Sequence, residues 1–498
     1  MNLDECVNVA AKPREWTGDV GASRPMALSP KEAKMRVNNT QLHETSKYLS
    51  FIGNKTLIVS TSGIEVEDDQ IHPSLFPFQR DLVRWALRKG RSAIFATTGL
   101  GKTRMQLEWG RLTGQRVLFV APLAVAQQTV REAADLGITL TYARSQNDAT
   151  DLTITNYEMV DRFDADWFGA VVLDESSILK SQDGKTRTKL IDQFKRTPFR
   201  LCCTATPAPN DTAELANHAE FLGILSRVEM LATFFVHDDR DWRLKGHATE
   251  PFYRWLASWG MSVQSPADIG YDASAYQLPP LQIEPVILPT AFVPPGQLFA
   301  TTLKGVGDRA AVRKETLDDR VARAVDLIQS ETAEPWIVWC GLNDEANAVT
   351  RAIPGSVNVE GSMSADQKAD ALLRFSAGEI RVLVTKPTVA GFGMNWQHCA
   401  RMVFVGLGDS YEQYFQAIRR CYRFGQTRPV HVYIVLTELE STIYHNVLRK
   451  EDEAQAVARE LAKHVAAYER AEIGQARHQV DYLPTVPMTL PAWLLEAA

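Results

Sequence analysis

Between Ala96 and Thr103 the sequence reads A-T-T-G-L-G-K-T, a turn with two glycines, a lysine and a threonine set between an apolar run and a helix-like pattern. Residues of those types in that order suit phosphate. Gly99 and Gly101 let the backbone bend until successive N–H groups point at phosphate oxygens, while the helix that follows presents its positive end. Lys102 adds a mobile charge for the β and γ phosphates, and the Thr103 hydroxyl can hold Mg²⁺. Ala96 replaces the first glycine of the usual phosphate-loop pattern. The stretch Thr98, Gly99, Leu100, Gly101, Lys102, Thr103 and Arg104 is therefore expected to line a nucleotide site.

Such a site needs a carboxylate from a second strand, and "AVVLDESS" supplies two, Asp174 and Glu175, after four apolar residues. Asp174, at the strand's end, is expected in the Mg²⁺ shell. Glu175 is expected to orient and deprotonate the water that attacks the γ phosphate. An Asp-Glu pair closing a strand is common in turns, so the pair gains its meaning from the phosphate loop.

The elements that must position these groups follow from periodicity. Short β-branched runs alternate with helical patterns from Ser92 to Thr204, with strands expected at "SAIFAT", "RVLFVAP", "LTITN", "AVVLDES" and "FRLCCTATP". That alternation implies a parallel sheet covered by helices. A helical, aromatic-rich segment follows to Gly270, and then "LPPLQIEPVILPTAFVPPG" reads as a proline-rich connector. A second alternating block runs through "PWIVWCG", "SVNVEG", "IRVLVTK", "RMVFVGL" and "VHVYIVLT", and a helix rich in Ala, Glu and Arg closes the pattern.

The phosphate loop and acidic pair, taken with "LFPFQ", "ITNYEMV", "CTATP", "GFGMN" and "QAIRRCYRFGQ", make the chain resemble helicase superfamily two, and its Swi/Snf-like branch in particular. The resemblance spans about residue 70 to residue 436. It implies an α/β fold of two tandem RecA-like domains, each a parallel sheet flanked by helices, with a helical insertion and a C-terminal helix. The expected divisions are a weakly ordered arm (1–45), a first RecA-like ATP-binding domain (46–212), the insertion (213–270), a proline-rich linker (271–307), a second RecA-like domain (308–437), and a C-terminal helix and tail (438–498). By the same resemblance Gln79 reads adenine, Gly393 lies at the domain interface, and Arg420 and Arg423 are arginine fingers, with Gln416 facing the same cleft. A fixed guanidinium suits the charge that phosphoryl transfer leaves on equatorial oxygens.

The chain also departs from the family. Ser177 stands where the acidic box usually has a His that links nucleotide state to the neighbouring domain. Arg419 stands where the family has Asp, so a local salt bridge is expected to be lost or reversed.

Composition limits the partners. With 45% hydrophobic and 23% charged residues, the chain is that of an ordinary folded protein, and no apolar run suits a membrane span. Its start carries acids and no basic flank before an apolar stretch, so a cytoplasmic protein is expected. Six cysteines without a CxxC pair suggest buried thiols rather than zinc ligands. A net charge of -6 gives no global argument for nucleic acid, so contacts must come from local basic patches. Lys180, Lys185, Arg187 and Lys189 form the densest, and Arg243 and Lys245 form a second in "WRLKGH"; a solvated charged face is the alternative for each. The expected protein is an ATP- and Mg²⁺-dependent DNA translocase or helicase, phage-like in its compactness and working as a monomer, with RNA not excluded as its track. The alternative is an ATP-gated nucleic-acid clamp with little motor activity.

Overall fold

A computed structural model of the chain describes residues 59, 61–180, 184–208, 212–237, 242–290, 312–390, 394–408 and 410–477. The expected N-terminal arm lies outside these residues, as does the end of the tail.

The first lobe begins with helix α1 (Pro77–Lys89), which starts on a proline and ends at Gly90, a glycine at φ +73°. Strands β1 (Arg91–Ala96), β2 (Val117–Ala121), β3 (Thr141–Tyr142), β4 (Leu152–Asn156), β5 (Ala170–Asp174) and β6 (Phe199–Thr204) follow, with helices α2 (Lys102–Leu112), α3 (Leu123–Asp135) and α4 (Lys185–Gln193) among them. Helices α5 (Leu215–Leu222) and α6 (Arg227–Phe234), an antiparallel hairpin of β7 (Phe235–His237) and β8 (Trp242–Leu244), helix α7 (Thr249–Ala257) and strand β9 (Gly260–Val263) complete it. The sheet has the order β3-β4-β2-β5-β6-β1-β9, with every pairing parallel. Its central strands are buried on both faces, which is why they read as near-continuous apolar runs.

The second lobe repeats the scheme. Strands β10 (Leu281–Leu288), β11 (Trp336–Cys340), β12 (Val357–Val359), β13 (Val382–Thr385), β14 (Arg401–Val405) and β15 (Val430–Thr437) form a parallel sheet of order β10-β15-β14-β11-β13-β12. Helices α8 (Leu317–Ser330), α9 (Asn343–Ala352), α10 (Ala365–Ser376) and α11 (Tyr411–Ile418) connect these strands. Between α8 and α9, Arg320 and Glu345 form an ion pair of 2.7 Å with both side chains fully buried. The second Glu345 oxygen accepts from the Gly341 and Leu342 amides, so the pair also fixes the turn after β11. The chain is thus a mixed α/β protein with two helix-flanked parallel sheets, the tandem RecA-like arrangement.

Two segments differ from the expectations drawn from the sequence, and the expected C-terminal helix makes contacts that the sequence did not show. The segment 213–270 is not wholly helical, because β9 leaves it to extend the first sheet beside β1, pairing Ala93 with Gly260 through Ala96 with Val263. The proline-rich stretch holds an eight-residue strand, β10, in register with β15 from Leu281–Val430 to Leu288–Thr437. Its internal Pro285 is tolerated because β10 is an edge strand, where a missing N–H costs no ladder bond. The last helix, α12 (Ser441–Arg477), does more than close the chain: Ile443 and Val447 pack in the core of the second lobe, whereas Leu461, Val465 and Ile473 join the cores of the first. Lys89 pairs with Glu472 at 2.7 Å along that return contact. No helix among the described residues is long and apolar enough to cross a membrane.

Candidate active site

The turn between β1 and α2 carries two of the bends that its sequence requires. Gly99 has φ +95° and Gly101 φ +80°, left-handed conformations that residues with a Cβ rarely adopt. Gly101 caps α2 with no side-chain acceptor, so N–H groups of the first helical turn are left for an outside partner. Lys102 folds back over the turn, its Nζ donating to the Ala96 carbonyl at 2.8 Å and to that of Thr97 at 3.4 Å. Burial pushes its pKa down, and the Glu175 and Asp174 carboxylates oppose that. Thr103 sits half-buried in the first turn of α2, while Arg104 reaches outward to the Ser74 hydroxyl at 3.3 Å.

Gln79 braces this turn from α1. Its Oε1 accepts from the Phe76 amide at 2.9 Å and its Nε2 donates to the Leu100 carbonyl at 2.8 Å. The approach is so close that a Cβ on Gly101 would lie 2.3 Å from Gln79 Nε2.

Asp174 ends β5 beside α2. Its Oδ1 accepts from Gln106 Nε2 at 2.7 Å, and the Tyr157 hydroxyl donates to its backbone carbonyl at 2.6 Å. The role of Gln106 went unread in the sequence, although it lies one helical turn after Thr103 and so shares its face. Glu175 has φ +52° and is the one non-glycine with positive φ among the described residues. That conformation is strained for a side chain of this size. Its Oε2 is buried without a hydrogen-bond partner. Burial raises the pKa of both carboxyls, with Gln106 and Lys102 opposing it at Asp174, and Lys102 and Arg420 at Glu175.

The second lobe brings its arginines to the same cleft. Arg420 is buried, donating from Nε to the Gln416 carbonyl and from Nη2 to Gln416 Oε1, both at 2.9 Å, and from Nη1 to the Met394 carbonyl at 3.3 Å. Arg423 Nη1 reaches the same carbonyl at 3.4 Å. Burial pulls the Arg420 pKa down to about 10, Arg423 adds to the fall, and the Glu175 carboxylate works against it. The two lobes also bond directly: Ser177 Oγ donates to Glu412 Oε1 and Asn395 Nδ2 donates to Glu132 Oε1, each at 3.3 Å. Ser177 thus makes a cross-lobe contact. Arg419 lies over the rings of Phe415 (4.8 Å) and Tyr422 (5.4 Å). Gly393 lies outside the described residues.

Buried polar atoms without partners gather here. Glu175 Oε2, Gln416 Nε2 and Arg423 Nε are all of this kind, and buried groups left unpaired are costly unless a ligand satisfies them. With the bent glycines, the uncapped helix and the acid pair, they fit a triphosphate with its divalent ion. A cavity of about 550 Å³ opens beside the acidic turn, between Pro122, Tyr157 and Glu175 of the first lobe and Lys368, Thr388 and Met394 of the second.

The basic candidates do not behave alike. Lys185 is exposed at the start of α4, and Arg187 on the same helix donates to Asn217 Oδ1 at 3.3 Å. Lys189 pairs with Asp161. Arg243 is exposed on β8, whereas Lys245 donates to the carbonyls of Ala232 (2.7 Å) and Thr233 (3.2 Å) at the end of α6. The side chain of Lys180 lies outside the described residues.

Residues 319–425 match the helicase conserved C-terminal domain. The matched stretch runs from α8 past Arg423 and supports a helicase of superfamily two. No curated protein matches the chain.

Proposed function

We propose that the protein is an ATP-dependent DNA translocase or helicase of the Swi/Snf-like kind, coupling hydrolysis to movement along duplex DNA. One observation carries the reading: the segment holding Arg420 and Arg423 lies against the phosphate loop, so that a Cβ on Gly99 would come within 2.7 Å of the Phe424 amide nitrogen. A nucleotide held by the first lobe would therefore meet guanidinium groups of the second.

In this mechanism the turn from Thr98 to Thr103 grips the phosphates through its backbone N–H groups, and Lys102 exchanges its carbonyl partners for phosphate oxygens. Thr103 and Asp174, the latter oriented by Gln106, would hold Mg²⁺, which when bound neutralises charge on the phosphate oxygens. Glu175 orients the attacking water and accepts its proton, a task suited to a carboxylate whose pKa burial has raised. Arg423 and Arg420 stabilise charge on the transferring group. Release of product loosens the cleft, and alternating closure moves the lobes along the track.

Steady-state ATPase measured with linear duplexes of increasing length tests the proposal. A motor shows turnover rising with length to a plateau, and a flat response at every length overturns it. The anchorage of α12 in both lobes favours a second reading, an ATP-gated clamp, because a single helix bound at both ends restrains their separation. Slow turnover that ignores length, with nucleotide-dependent retention on DNA, would support the clamp.

A further inference from the structure

Behind the acidic turn lies a buried histidine that the mechanism does not use. His218 on α5 is fully buried, and its Nε2 is 3.1 Å from the Ser176 hydroxyl, in the residue that follows strained Glu175. Its ring meets Phe95 of β1 edge-on at 5.2 Å, and its Nδ1 has no hydrogen-bond partner. Burial pulls the pKa down to about 4, so the imidazole is neutral at ordinary pH and acts through its hydrogen bond rather than its charge.

The neighbouring residue faces another way. Asn217, also fully buried, accepts through Oδ1 from Arg187 Nη1 at 3.3 Å and from Arg227 Nη1 at 3.2 Å. Adjacent residues of one short helix therefore hold the acidic turn on one side and the basic helix α4 on the other. From the opposite lobe the same turn is held by the Ser177–Glu412 bond. A turn with a side chain at φ +52° keeps that conformation only while its surroundings impose it, so groups that grip it from two sides can bias its geometry.

We propose that His218 is a positioning residue which, with Asn217, transmits nucleic-acid engagement of α4 to the Glu175 turn. The inference rests on the nucleic-acid-stimulated ATPase proposed above, and names the internal route of the stimulation. Nucleic acid drawing on Arg187 shifts α5 through Asn217, and His218 resets Ser176 and with it the Glu175 carboxylate. The basal reaction needs no such shift.

The test compares the full chain with His218→Phe, His218→Gln and Asn217→Ala, measuring ATP KM and kcat with and without saturating linear duplex DNA. His218→Phe keeps the ring and its packing on Phe95 but removes the bond to Ser176. Its basal kcat and KM should stay within about twofold, while stimulation by duplex falls about tenfold, a size ordinary for coupling between linked sites. His218→Gln should restore most of the stimulation, because its amide can reach Ser176, and Asn217→Ala should reproduce the loss from the other end. Should His218→Phe fail to fold, Asn217→Ala carries the test alone. Parent-like stimulation in His218→Phe and Asn217→Ala overturns the relay, as does an equal loss of basal and stimulated rates in all three variants. A parent enzyme indifferent to duplex would instead overturn the function on which the relay depends.

Discussion

Phe424 of the second lobe rests on Gly99 of the first, with a Cβ at Gly99 falling 2.7 Å from the Phe424 nitrogen and 3.0 Å from its Cβ. The contact is backed by rings, since Phe424 stacks on Tyr276 at 4.6 Å and meets Phe76 edge-on at 6.2 Å. A glycine is required here twice over, by this approach and by φ +95°. Gly99→Ala should therefore both strain the loop and hold the lobes apart. We expect kcat to fall by roughly a hundredfold, the scale set by an ångström of misplacement at a reacting centre. Steady-state kinetics with stability checked by thermal melting would decide it, and near-normal kcat would show that the lobes need not touch.

Arg423 offers a cleaner test of the proposed finger role than Arg420, because Arg420 also ties Gln416 to the Met394 carbonyl and its loss would disturb the fold. Arg423 has one such bond and an unpartnered Nε. Arg423→Ala should lower kcat by about 10³ while ATP binding changes by a few-fold, as expected for a group that acts on transition-state charge. A rise in KM at constant kcat would assign it to ground-state binding.

What could be read from the sequence was local. The glycine turn from Ala96 to Thr103 and the acid pair lie in contiguous stretches where strand, turn and helix signals agree, and the central strands of both sheets were plain because burial on both faces makes them continuously apolar. Strand β10 was hidden by Pro285 and its flanking prolines, which mimic a linker whenever edge position is unknown. Strand β9 is only four residues long and follows an aromatic helix. The contacts of Gln106, Glu412, Glu132 and His218 depend on how remote elements come together, and no local pattern encodes that. Lys245 shows why charge runs are ambiguous: its type suggests a partner outside the chain, and in the fold its ammonium bonds to carbonyls of the chain itself.

Glu412 lies across the cleft from Glu175, and its negative charge adds to the burial that raises the Glu175 pKa. Neutralising it must move that pKa downward. In Glu412→Gln the acidic limb of the kcat–pH profile should move to lower pH, because a like charge near the carboxylate is removed. Single-turnover rates across the pH range would read the change. An unmoved or upward-moving limb would disconnect Glu175 from the proton transfer assigned to it.

Lys245 caps α6 through the Ala232 and Thr233 carbonyls. Lys245→Ala should cost about 0.5 to 1 kcal/mol of stability, the size of a charge lost from a helix C-terminus at the surface. Its effect on DNA-stimulated ATPase should be small. Urea titration alongside a DNA-activation curve separates the two, and a weakened apparent affinity for DNA at unchanged stability would restore Lys245 as a contact.

The return of α12 to the first lobe buries a carboxyl that forms no ion pair among the described residues. Glu469 is fully buried, its Oε1 accepting from the Ser262 amide while its Oε2 has no partner. Burial, with a smaller push from Asp268, raises its pKa to about 8, against about 4.3 for an exposed Glu. The folded protein thus holds a proton that the unfolded chain releases. Stability from this group is complete below about pH 4, declines as pH rises through the interval, and is lost above about 8. At about 1.4 kcal/mol for each pH unit between the two values, the decline amounts to a few kcal/mol. Glu469→Gln keeps an acceptor for Ser262 and carries no charge, so it should raise the melting temperature at pH 8.5, leave it nearly unchanged at pH 5, and flatten the slope between. A variant whose melting curve tracks the parent at both pH values would mean that the carboxyl is solvated and that α12 docks without holding a proton.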